Sequence, residues 1–173
     1  MKTLLLKTDK DLQIFMHPKR QQILHLLSVN ASMTAKQISD ALAMQPSSAK
    51  HHLLRLQELG LVEVDHTELI HGITATFYRK TLVTVSFASL GAEKQKLVSD
   101  FIDKQVRDDL YAKPRTHTDE SGHFMADQLS GVVHLSEKEA DQVYRLIRTF
   151  LAKHEKHGEG KKAYAYSLVA YHV

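Results

Sequence analysis

QPSSAKHHLLRLQELGLV, residues 45–62, decides how this chain is read. Its leucines recur at helical spacing. Pro46 suits a first helical position, where no N–H is needed, and Gly60 is a natural stop. On a wheel of about 100° per residue, Ala49, Leu53 and Leu56 share one side, which must face a core. Ser47, His51, Leu54 and Glu58 fall opposite. Ser48 and Arg55 flank that outer face on one side and Lys50 on the other. His52 lies roughly 60° from the centre of the core side. The two histidines are therefore not a pair: His51 faces out and His52 leans in.

The neighbours give this helix a context. Thr34 and Gln37 have the spacing of a capping box, and Ile38, Ala41 and Leu42 supply the buried side of the short helix it opens. The turn AMQP joins that helix to the quoted one. Upstream, Pro18 opens a helix with Ile23, Leu24, Leu26 and Leu27 on its apolar face, after a short strand at Thr3–Lys7. Downstream, Leu61–Asp65 and Thr74–Arg79 read as strands around the loop HTELIHGI, and Thr81–Ala88 continues extended. A braced short helix, a tight turn, a helix with a polar first half and then a hairpin describe a winged helix-turn-helix.

In that geometry Pro46–Leu59 is the recognition helix and Leu61–Arg79 is the wing. Ser47 and Ser48 are small enough to let the helix end approach DNA closely. Lys50 and Arg55 reach phosphates or guanine edges, and His51 donates or accepts at a base edge. Lys36, in the first turn of the bracing helix, lies where a phosphate can sit. The plain alternative for each is a solvated helix face. For His52 the plain reading, a half-buried satisfied ring, is the preferred one.

The same residues resemble a known family. HPKRQQIL, TAKQISDALAMQPSSAKHHLLRLQELGLVEV and HGITATFYRKT look like the winged helix-turn-helix of arsenical-resistance-repressor-like (ArsR-like) bacterial regulators. The marks are an HP-x-R-x-x-IL entry, an HL-x-x-L-x-x-x-GL-V recognition helix and a GI…FYR strand. The resemblance covers about residues 8–85. It implies a dimeric DNA-binding transcription regulator in which His52 packs within the motif. Lys50 stands where the family usually has serine, a departure at the base-reading face.

Composition narrows the alternatives. With 173 residues and 43% apolar content, the chain can bury one sizeable core or two small ones. No apolar run approaches a membrane span. MKTLLLKTDKD has no small-residue cleavage site, so no signal peptide is expected. The absence of cysteine excludes disulfides and thiolate metal sites and makes the cytoplasm the default location. Net charge is +3, and the excess lies in residues 1–90, with ten Lys/Arg against seven Asp/Glu. That favours an anionic partner there. No phosphate loop, nucleophile elbow or zinc-protease motif occurs, so neither an enzyme nor a cofactor is expected. His154 and His157 have the spacing of two zinc ligands on one helix face, but the polar run KHEKHGEGKK reads better as a frayed helix end, and no metal is expected.

From Gly91 the character changes. Glu93–Ala112 reads as a helix striped by Leu97, Val98, Phe101, Ile102, Val106 and Leu110, wider than a lone domain needs. It is the expected homodimer contact, since paired DNA half-sites call for a dimer. Ser136 and Glu139 cap a further helix expected to bury Val143, Tyr144, Ile147, Phe150 and Leu151. Strands are expected at His123–Leu135 and Ala163–Val173. The fold class is thus α+β: a winged helix-turn-helix over residues 1–90, then a dimerisation helix and a small α/β region over 91–173, with room for a small-molecule effector. Two rivals remain: a winged helix that binds proteins without DNA, and a histidine-based metal sensor.

Overall fold

A computed structural model describes residues 2–112, 114–158 and 160–169. Eleven elements follow in order: β1 (Lys2–Leu5), α1 (Asp9–Phe15), α2 (Pro18–Val29), β2 (Met33–Thr34), α3 (Ala35–Ala41), α4 (Pro46–Leu59), β3 (Val62–Ile70), β4 (Ile73–Lys80), β5 (Val83–Ser86), α5 (Ala92–Tyr111) and α6 (Glu137–Lys153). By contact the chain divides into two units. One runs to Val98 and includes Glu155–Ala163; the other is Ser99–His154 with the stretch from Tyr164.

In the first unit, α2, α3 and α4 pack around a core that contains Ile23, Leu24, Leu27, Ile38, Leu53 and Leu56. Strands β2, β4 and β3 form an antiparallel sheet in that order, with Met33 opposite Tyr78 and Val64 also opposite Tyr78. This is a winged helix-turn-helix. The α3 cap forms as its spacing requires: Thr34 Oγ1 accepts from Gln37 N at 3.2 Å, and Gln37 Oε1 accepts from Thr34 N at 2.8 Å. Ile38 is fully buried, but Ala41 is exposed and Leu42 only half-buried. Their expected place is taken by Ser39, whose hydroxyl is satisfied by Lys36 O at 2.7 Å. A buried serine that bonds its own helix costs little.

Sequence reading missed α1 as a separate helix. Its signal was present in Thr8 and Asp11, which form a complete capping box. The wing is also longer than expected. HTELI continues β3, and the turn is only His71 and Gly72, both with positive φ (48° and 79°). Two such residues in a two-residue loop make the turn whose twist suits a hairpin. A bulge at Asp65 shifts the register between Val64 and His66.

β1 and β5 form a parallel pair, Lys2 opposite Val83 through Leu5 opposite Ser86. Leu6 N extends it by donating to Ser86 O at 2.9 Å. Gly60 ends α4 at φ +82°, and a Cβ there would lie 3.3 Å from Leu4 Cδ1. Gly60→Ala therefore meets both a left-handed backbone and a neighbour. It should lower the unfolding free energy by about 1–2 kcal/mol, read as a lower urea midpoint.

The second unit departs from expectation. None of its described residues is fully buried. No strand forms at residues 123–135 or 163–169; among the described residues of this unit, the pairing that does form is a bridge between Thr118 and Phe124. The last part of the expected Ala163–Val173 strand lies outside the described residues. Alternating side chains do not make a strand without a partner to accept its hydrogen bonds. The Ser136–Glu139 cap forms as read. However, α6 buries nothing fully: Val143 and Phe150, expected inside, are 44% and 63% exposed. On α5 only Val98 is buried, and Leu97 is exposed. Among the described residues, no helix is long and apolar enough to cross a membrane.

Candidate nucleic-acid interface

The face begins with how α4 is held. Ala49, Leu53 and Leu56 have no solvent exposure, which fixes the helix's rotation. Its opposite side is thereby presented outward. Ser47, Ser48, Lys50 and His51 are exposed there, Leu54 is 49% exposed and Arg55 is partly covered. Pro46 stands at the first helical position, and Gln45 makes no side-chain cap. The first amides of α4 are therefore left without a side-chain acceptor from the cap, in the half of the helix that also carries the two serines.

The cations are engaged within the protein. Lys50 Nζ donates to Tyr78 OH and lies 4.8 Å from that ring's centre, so the wing strand β4 steadies it. Arg55 Nη1 donates to Glu58 Oε2 at 2.9 Å, and Lys10 of α1 pairs with the same carboxylate. Those partners hold the Glu58 carboxyl below its usual range, Lys10 first and Arg55 second. Lys36 pairs with Asp40 one turn on at 2.5 Å. The Lys10–Glu58, Arg55–Glu58 and Lys36–Asp40 pairs are substantially exposed, where such pairs are weak and exchange readily for other anions. On the wing, Arg79 is held by Glu63 at 2.8 Å and Asp65 at 3.0 Å.

Beside α4 lies an open cleft of about 560 Å³, lined by Lys10, Gln13, His17, Arg20, His51 and Arg55 among others. Sequence reading placed His51 and Arg55 on the outer face but missed Lys10, His17 and Arg20. Arg20 is 9% exposed; its Nη1 donates to Gln13 O at 2.8 Å and Ile14 O at 3.1 Å, fastening the C-terminal end of α1 to α2. Burial, then the charge of Arg55, lowers its pKa from the ordinary value. The HP-x-R spacing carried a signal for this cluster, because His17 and Arg20 flank the first turn of α2.

His17 and His52 face each other with ring centres 4.8 Å apart, and His51 lies 5.8 Å from His52. Neither His17 Nδ1 nor His52 Nδ1, both buried, has a protein partner. Burial, followed by the charges of His17 and Arg20, pushes His52 down to about 4. Burial and Arg20 lower His17 as well. His52 is thus half-buried, as the helical wheel placed it, but its ring packs on another imidazole. Among the described residues, no three His, Cys, Asp or Glu side chains are grouped to hold a metal ion.

The structure brings Ser47, Ser48, Lys50, His51 and Arg55 together on one helix, while Lys36 stands on α3. Residues 17–64 match the model of the bacterial regulatory protein, arsR family. Over that stretch the chain is similar to that family. Among solved structures, reduced HlyU from Vibrio cholerae is 20% identical, over 60% of this chain and 87% of that one, with a TM-score of 0.38. The homodimeric winged helix-turn-helix DNA-binding domain of Mb0332 from Mycobacterium bovis is 21% identical, over 62% and 82%, at 0.36. ZitR from Lactococcus lactis is 12% identical, over 82% and 86%, at 0.34. No curated protein matches the chain.

Proposed function

We propose that this chain is a cytoplasmic, homodimeric, sequence-specific DNA-binding transcription regulator of bacterial type, with α4 in the major groove. One observation carries the reading. A helix locked by a fully buried face presents two serines, a histidine and two cations outward in its first three turns. Ser47 and Ser48 allow close approach, His51 reads a base edge, and Lys50 and Arg55 exchange their internal partners for phosphate or guanine. Lys36 serves a phosphate at the edge of the site. α5 is the proposed contact between copies, with Leu97 exposed on it. The residues beyond the winged helix give room for an effector that shifts DNA affinity.

The test is fluorescence anisotropy with DNA from the protein's own upstream region and an unrelated duplex of equal length, across a salt series. The own-site duplex should bind more tightly, and its affinity should fall steeply as salt rises. Arg55→Ala should cost about tenfold at that site. Equal, salt-insensitive binding to both duplexes would sink the reading.

A second reading has an observation behind it. Arg55, Lys10, Lys36 and Arg79 are each matched by a carboxylate, so the face carries less free charge than its composition suggests. A winged helix that binds protein rather than DNA would look like this. It predicts no duplex binding even at low salt and undiminished partner binding in a Lys50→Glu, Arg55→Glu variant.

A further inference from the structure

Helix α6 carries an apolar stripe that its own unit leaves open. Ala140, Tyr144, Ile147 and Leu151 are partly covered, but Val143, Leu146 and Phe150 are 44%, 71% and 63% exposed. At about 100° per residue, Glu139, Val143, Leu146, Phe150 and Lys153 all fall within roughly 40° of one line. The stripe therefore reads acid, three apolar residues, base. Glu139 and Lys153 stand seven residues to either side of Leu146.

This order is complementary to itself. Laid antiparallel with Leu146 on Leu146, two copies would set Glu139 of each beside Lys153 of the other. A parallel pairing would set like charge against like. The charges remain available for the contact. The Ser136 cap uses only Oε2 of Glu139, and Lys153 makes no ion pair among the described residues. The pair Asp141–Arg145, 4.0 Å apart, lies on another flank. An acid-first, base-last order also suits a helix's own dipole, so charge alone would prove little. The exposed apolar residues between the charges are what the dipole does not explain.

We propose that α6 pairs antiparallel with α6 of a second copy, with Leu146 at the two-fold axis. Such a contact is isologous, as most homodimer interfaces are. It is separate from the α5 contact proposed above and does not depend on DNA binding.

The chain has no cysteine, so single cysteines report cleanly. Leu146→Cys, introduced into the full chain and oxidised at low micromolar concentration, should form a disulfide-linked dimer at least about tenfold faster than Arg145→Cys, an exposed control off the stripe. Glu139→Cys and Lys153→Cys should each stay reduced alone, because like positions would sit about 21 Å apart across the axis. Mixed, they should cross-link to each other. Equal rates for Leu146→Cys and Arg145→Cys overturn the proposal. Self-linking of Glu139→Cys overturns the antiparallel register. If Leu97→Cys on α5 cross-links while Leu146→Cys does not, the copies meet through α5 alone. The dimer reading then stands, and the α6 face belongs to a different partner. Unchanged circular dichroism of each variant guards against misfolding.

Discussion

Leu53→Ala is expected to remove about 2–5 kcal/mol of stability, much of what holds a domain of this size together. Leu53 has no exposure and lies on α4, the helix that packs against α1, α2, α3 and β3. Removing it leaves a void that four elements would have to collapse around, and helices tied by caps and a sheet cannot all follow. The adjacent Leu54 is 49% exposed, so Leu54→Ala should cost less than about 1 kcal/mol. Urea denaturation of the two variants makes the comparison. Similar small losses in both would mean that α4 is not anchored as described. The functional meaning is direct, since the buried face sets which residues α4 turns outward.

The second large effect is a loss of stability on mild acidification. His52 titrates near 4 in the folded chain, against an ordinary value near 6.5, because it is packed away from water against His17 and near Arg20. Its folded value is depressed, so the unfolded chain binds the proton more readily. The stabilisation is then complete above about pH 6.5 and is lost as pH falls towards 4. A shift of this size corresponds to at most about 3 kcal/mol; allowing for the solvent around the half-buried ring, about 1–3 kcal/mol is expected. His17 acts in the same direction. Lys19, Arg20 and His51 add positive charge around the ring and oppose its protonation further. Denaturation at pH 7 and pH 5 should therefore show a fall, and His52→Gln should flatten it. An unchanged slope in His52→Gln would place the proton uptake elsewhere.

The helices of the first unit were legible because each carried a local rule. Pro18, Pro46 and Gly60 punctuate, Thr34 and Gln37 cap, and Ala49, Leu53 and Leu56 keep helical period. The wing was less so. β3 beyond Val64 is exposed throughout, so no inward-outward alternation marked it, and His71 carries a positive φ that histidine seldom advertises in sequence. The site's outer residues followed from the wheel. Their partners did not: Lys50 meets Tyr78 across 28 positions and Lys10 meets Glu58 across 48. The C-terminal strands failed for a related reason. Alternation in residues 163–169 described a surface without supplying a neighbour to pair with, whereas the cap, a local matter between Ser136 and Glu139, formed as read.

The β1–β5 pair gives the winged helix a schedule. Its two strands are about 80 positions apart and enclose the whole helix-turn-helix and wing between them. On a ribosome, α1 through β4 can assemble while β1 still lacks its partner, and Leu4 and Leu6 then wait uncovered. Closure arrives only when Val83–Ser86 emerges, and pairings of such long sequence separation are slow to form. A nascent chain stalled just after the wing would therefore hold a formed helix-turn-helix and wing with an open seam, which is the state most exposed to proteases and to its neighbours.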